Sequence, residues 1–103
     1  MTLRKMNELE KKTGELRRAS NRQRISVIET DIDTGMTFLQ LADTELGMGN
    51  MERVHRLIGL ARKAHEATGK FLARVPDPED FERLREKRHG LEGAIRDLER
   101  RIR

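Results

Sequence analysis

From Phe81 to the end of the chain, apolar residues recur at alternating intervals of three and four: Phe81, Leu84, Leu91, Ile95, Leu98 and Ile102, with Arg88 filling the one remaining place. At about 100° per residue this spacing puts every member on one side of an α-helix. It predicts a helix over 78–102 with a single charged residue in its seam. Val75-Pro-Asp-Pro78 sets the start: Pro76 forces Val75 out of helical geometry, Pro78 suits the first turn, and Asp77 stands at the cap. Glu79 and Asp80 then lie at the positive end of the helix dipole.

A second helix is predicted over 51–74. Val54, Ile58, Ala61, His65, Thr68, Leu72 and Val75 form one row, and Leu57, Leu60, Ala64, Ala67 and Phe71 form the next. Two adjacent apolar rows predict a central helix touching two neighbours. Before it, Gly47-Met-Gly49-Asn50 supplies two glycines for a left-handed turn and an Asn to cap the helix from Met51. Upstream, Ile25, Ile28, Ile32, Gly35, Leu39, Ala42 and Leu46 make a third seam of the same kind. Three long helices at 22–48, 51–74 and 78–102, joined by short connections, read as an all-α antiparallel three-helix bundle occupying 21–103.

Residues 1–20 carry Met6, Leu9, Thr13 and Leu16 in the same alternation and read as a basic N-terminal helical extension. Ser20-Asn-Arg-Gln23 can be taken as a capping box opening a fresh helix. Continuing the Met6–Leu16 register without a break instead reaches Val27, Thr34 and Leu41. With Phe38 nearby, these give the 25–47 helix a second apolar stripe that the bundle does not use. Two arrangements cover that stripe: residues 1–18 fold back as a fourth helix, or a very long first helix pairs with another molecule. No Gly or Pro turns the chain at 17–24, which favours the second.

Composition narrows the chemistry. The chain of 103 residues is 35% hydrophobic and 39% charged, has no Cys, and is long enough for one modest domain. Disulfides and thiolate metal sites are excluded, and no apolar run approaches the roughly 20 residues a membrane span needs. The first residues lead into charge rather than an apolar signal core, so the expectation is a cytoplasmic protein. Charge is unevenly spread. Residues 1–24 hold eight Lys/Arg against three Glu, and residues 25–49 hold five Asp/Glu with no base. That pattern suggests electrostatic matching between neighbouring helices, within the chain or across a dimer. The alternative is nucleic-acid binding through Arg4, Lys5, Lys11, Lys12, Arg17, Arg18, Arg22 and Arg24. That segment has no aromatic residue to stack on bases.

Glu52-x-x-His55 and Glu86-x-x-His89 have the spacing of di-metal helical bundles. Their phase is wrong for it. Both pairs fall roughly 150° from the apolar face of their helix and are expected to face water, so no metal or cofactor is assigned and a metal-binding helical bundle stands only as the second alternative function. His65, by contrast, sits within an apolar row and is expected to be half-buried and packed, with Glu29, Asp33 or Asp43 as candidate partners. Arg88 is expected to reach a carboxylate from its seam. Ser20 and Ser26 have no evident His partner, and the glycines form no phosphate loop, so no enzymatic activity is expected. Gly59, Gly69, Gly90 and Gly93 lie inside helices, at about 1 kcal/mol each relative to Ala.

Leu41-Ala-Asp-Thr-Glu-Leu-Gly-Met-Gly-Asn-Met-Glu-Arg-Val-His-Arg-Leu57 resembles the helix–Gly-Asn–helix hairpin of tetratricopeptide repeats. With Ala64…Phe71-Leu72 and Lys87…Leu91…Ala94…Leu98 in comparable order, residues 30–102 are similar to the microtubule-interacting-and-trafficking domain, a three-helix relative. The resemblance implies a module that takes a partner's helical or extended segment in a groove, and carries over no binding residue. One hairpin alone excludes a solenoid. The expected function is a small non-enzymatic interaction module, self-associating as a homodimer or binding a partner helix. Its expected contact surface is Val27, Thr34, Phe38 and Leu41, extended by Met6, Leu9 and Leu16.

Overall fold

A computed structural model of the chain describes the backbone of residues 3–103 and the side chains of residues 10–16 and 18–103. Among these the protein is all-α, with three helices: α1 (Leu3–Gly47), α2 (Met51–Leu72) and α3 (Pro78–Arg101). The first is very long, at 45 residues. No new helix opens at Ser20. The Asn21 side chain accepts a hydrogen bond from the Arg24 guanidinium at 3.0 Å and leaves the helix unbroken.

The two connections follow from local chemistry. Gly49 takes φ +79°, a backbone that disfavours other residues, and lets the Asn50 amide return to the Glu45 carbonyl at 3.0 Å. Asn50 then caps α2 by accepting from the Arg53 amide. Asp77 caps α3, its carboxylate accepting from the amides of Glu79 at 2.8 Å and Asp80 at 3.0 Å. Ahead of Pro76 the chain leaves α2 at Leu72, two residues before the expected end. The Arg74 and Val75 amides reach back three residues to Phe71 and Leu72, a tighter turn than the α-helix.

The core draws on all three predicted seams. Ile28, Ile32, Leu39 and Ala42 of α1 pack with Val54, Leu57, Ile58, Ala61 and Leu72 of α2, and with Leu84, Leu91, Ile95 and Leu98 of α3. Each helix touches both others, so α2 is not the only one with two neighbours. Gly35 faces both neighbours at close range. A Cβ there would lie 2.9 and 3.1 Å from the two Leu91 methyls and 3.4 Å from Ala64. Leu91 is itself fully buried and has little room to move.

Acidic residues of α1 meet bases of the other two helices around this core: Glu29 with Arg83 at 2.5 Å, Asp43 with Arg101 at 2.7 Å, and Glu45 with Arg53 at 3.4 Å. The hydrogen bond from Arg83 holds the Glu29 carboxyl below its usual range. Arg24 donates to the Arg74 carbonyl at 3.0 Å, beyond the end of α2.

The partners are short. α2 has 22 residues and α3 has 24, so they span only about half of α1 at roughly 1.5 Å per residue. The molecule measures 70 × 21 × 15 Å, and its radius of gyration is 19.3 Å. A compact chain of this length would have about 13 Å. No helix among the described residues is long and apolar enough to cross a membrane.

Glycine packing gives a direct test. Gly59, Gly90 and Gly93 have nothing within 4 Å of an added Cβ. Replacing each with Ala should raise stability by about 0.5–1 kcal/mol in urea unfolding. Gly35→Ala should lower it by about 1–3 kcal/mol through overpacking against Leu91. A Gly35→Ala gain equal to the other three would contradict this packing.

Candidate interaction surface

α1 places Ile28, Ile32, Leu39 and Ala42 inward, and its exposed large aliphatic residues lie almost opposite. Leu16 is 71% exposed, Val27 38% and Leu41 45%, with Met48 at 73% just past the helix end. All four belong to the register of alternating three and four that begins at Met6. The intervening places in the covered half are Thr30, Thr34, Thr37 and Thr44, all exposed. The Thr37 hydroxyl donates to the Asp33 carbonyl at 3.0 Å, and the Thr44 hydroxyl donates to the Gln40 carbonyl at 3.2 Å. A hydroxyl tied to its own helix leaves the methyl outward, so Thr37 and Thr44 extend the apolar stripe.

Of the expected contact residues, Val27, Thr34, Leu41 and Leu16 lie on this stripe. Phe38 is half-buried at its edge and packs against the core. Met6 and Leu9 have side chains outside the described set. Sequence reading missed Thr30, Thr37, Thr44 and Met48, because hydrophobicity alone passes over threonine; the seven-residue register contains them. At the middle of α1 the stripe borders a shallow notch lined by Ser20, Gln23, Arg24, Val27, Phe71 and Arg74. Phe71, expected within an apolar row of α2, stands 38% exposed beside it.

The basic set divides. Lys11, Lys12, Arg18 and Arg22 are exposed, whereas Arg24 is committed to Asn21 and the Arg74 carbonyl. The side chains of Arg4, Lys5 and Arg17 lie outside the described set. Three of the five acidic groups of the following segment are spent on α2 and α3. Asp31 and Asp33 alone make no ion pair among the described residues, and they flank the stripe on its two sides.

The two Glu-x-x-His pairs stand in solvent. The Glu52 side chain is 88% exposed beside Arg56, and that of His89 is 85% exposed beside Glu92. No three His, Asp or Glu side chains converge as a metal-holding group among the described residues.

His65 and Arg88 meet each other: His65 is packed as expected, while the partner expected for each is corrected. Arg88 Nε donates to the His65 carbonyl at 3.0 Å and to the Thr68 hydroxyl at 3.2 Å, and Arg88 Nη2 lies 3.5 Å from His65 Nδ1. Among the described residues no carboxylate pairs with Arg88. Fully buried Thr68 completes the junction by donating to the His65 carbonyl at 2.7 Å. None of Glu29, Asp33 and Asp43 pairs with His65; its nearest carboxylate is Glu92 on α3, 4.0 Å from Nε2. The phase of each helix alone does not reveal which neighbour a row faces. Gly69 makes room for this contact, since a Cβ there would sit 2.7 Å from Arg88 Nη2.

His65 Nε2 is buried without a hydrogen-bond partner. Burial, followed by the Arg88 charge, lowers the His65 pKa below 6.5, against the opposing pull of Glu92 and Glu66. A recess lined by Arg85, Glu86, Arg88, His89 and Glu92 lies beside the cluster, and its hydrogen bonds tie α2 to α3. No protein-family model, curated protein or solved structure matches the chain.

The lowered pKa fixes the sign of a pH effect. The unfolded chain takes up a proton on His65 near pH 6.5 and the folded chain resists it, so stability is full above that value and falls as pH drops below it. Thermal unfolding between pH 7.5 and 5.5 should show a decline that His65→Gln reduces. Glu29 and Glu82, whose pKa values lie below 4.5, act only at lower pH. Equal declines in both proteins would contradict the assignment.

Proposed function

We propose that the protein is a non-enzymatic helical interaction module that self-associates, or takes a partner helix, through the outer stripe of α1. In this reading, residues 21–103 act as an antiparallel three-helix bundle and residues 1–20 as a basic helical extension presenting the same stripe beyond it. The observation that supports it best is the gathering of Leu16, Val27, Leu41 and Met48 into one register, opposite the core. Scattered surface aliphatics are ordinary, but a single row along a helix is what a helical partner packs against. The pattern similarity to the microtubule-interacting-and-trafficking domain agrees with helix binding. The absence of Cys agrees with a cytoplasmic setting.

Nucleic-acid binding is the second reading, resting on exposed Lys11, Lys12, Arg18 and Arg22. It requires an affinity that falls steeply with salt, and no shift of DNA or RNA at low salt would end it.

Sedimentation equilibrium separates the module reading from a bare surface. Wild type should associate, and Leu16→Glu/Leu41→Glu should be a single chain with unchanged helicity and unfolding midpoint, because neither side chain belongs to the core. An associated double variant would remove the stripe from the function.

A further inference from the structure

We infer that the occupant of the α1 stripe is the α1 helix of a second copy, running antiparallel, so that each copy's N-terminal half covers the other's outer face. The inference rests on the interaction-module reading and adds the partner and its direction.

Charge order carries the argument. The first 24 residues are strongly basic and the next 25 carry only acids. This order is the reverse of what the helix macrodipole favours, and α1 has no acid in its first turn and no base in its last. The α1 helix on its own therefore gives no reason for it. The α2 and α3 helices account for Glu29, Asp43 and Glu45. They leave Asp31 and Asp33, which stand beside the stripe where a neighbouring helix would pass. In the basic half, Lys5, Lys12, Arg17 and Arg24 hold the corresponding register positions, against one acid, Glu10. A parallel pair of α1 helices would set base against base and acid against acid. An antiparallel pair sets the basic half of each copy against the Asp31 and Asp33 of the other, twice over by symmetry.

Geometry agrees with the same direction. The bare feature of the N-terminal half is its exposure: every described side chain from residue 10 to 20 is exposed except partly covered Gly14. The bare feature of the C-terminal half is the stripe itself. Antiparallel pairing centred near residue 25, the middle of α1, brings each bare feature onto the other. The notch between Val27 and Phe71 then lies near the symmetry axis, where the partner's seam crosses it.

With no native Cys, spin labels can be placed singly on the full chain. Lys11 and Arg22 point away from the stripe. In dipolar spectroscopy, Lys11→Cys labels on the two copies should be about 40 Å apart, from 1.5 Å of rise per residue. Arg22→Cys labels should be close, within about 25 Å. Close distances at both sites would establish a parallel pair, overturning the inference while leaving the module reading intact. No dipolar signal from a monomeric chain would overturn the inference together with the self-association arm of the module reading, leaving only a partner helix of another protein. Asp31→Lys/Asp33→Lys should weaken the pair roughly tenfold at low salt, and less at high salt. Association unchanged by that reversal would remove the charge match as its cause.

Discussion

The length of α1 is the constraint on which the rest of the structure depends. Two helices of about half its length can bury only part of it, and they bury one face of that part. The covered stretch is held well: aliphatic seams interlock, Gly35 leaves room for Leu91 and Ala64, and the caps at Asn50 and Asp77 set where α2 and α3 begin. In the remaining stretch no described side chain from residue 10 to 20 is buried. A solitary helix of some 20 residues in water is marginal, because helix formation gains most of its stability from packing an apolar face. Here the stretch includes Thr13, Gly14, Ser20 and Asn21, all weaker helix formers than Ala. An added Cβ at Gly14 would meet only the tip of Arg18 at 3.8 Å, so no close contact within the chain requires glycine there.

The polar junction between α2 and α3 works differently from the surface charges. Thr68 is fully buried and His65 largely so, and their bonds with Arg88 depend on the space left by Gly69. Such a network is costly if any member loses its partner, and His65 Nε2 already has none. The exposed pairs, by contrast, each contribute little, on the order of 0–1 kcal/mol. Their interest lies in placement: they consume the α1 acids that face the bundle and leave the two beside the stripe.

Much of the fold was legible in the chain because apolar periodicity and turn chemistry are local. The seam from Phe81 to Ile102, the Pro-Asp-Pro start and the Gly-Asn turn all appear in the structure, with boundaries shifted by one or two residues. The continuous α1 was legible from the absence of any Gly or Pro at 17–24. Contacts between helices were less so. The meeting of His65 with Arg88, and the role of Gly69 in allowing it, depend on how two helices are rotated about each other, which no single seam states. The outer stripe was half visible. Leu16, Val27 and Leu41 mark it by hydrophobicity, whereas Thr37 and Thr44 become apolar only once their hydroxyls turn to Asp33 and Gln40.

Amide hydrogen exchange followed against protein concentration tests most directly whether α1 depends on an outside partner. The account predicts that amides of residues 10–20 exchange quickly in dilute protein and become protected as concentration rises, while core amides near Ile28 and Leu91 stay protected throughout. Protection of residues 10–20 that is the same at every concentration, or absent at all of them, would contradict it.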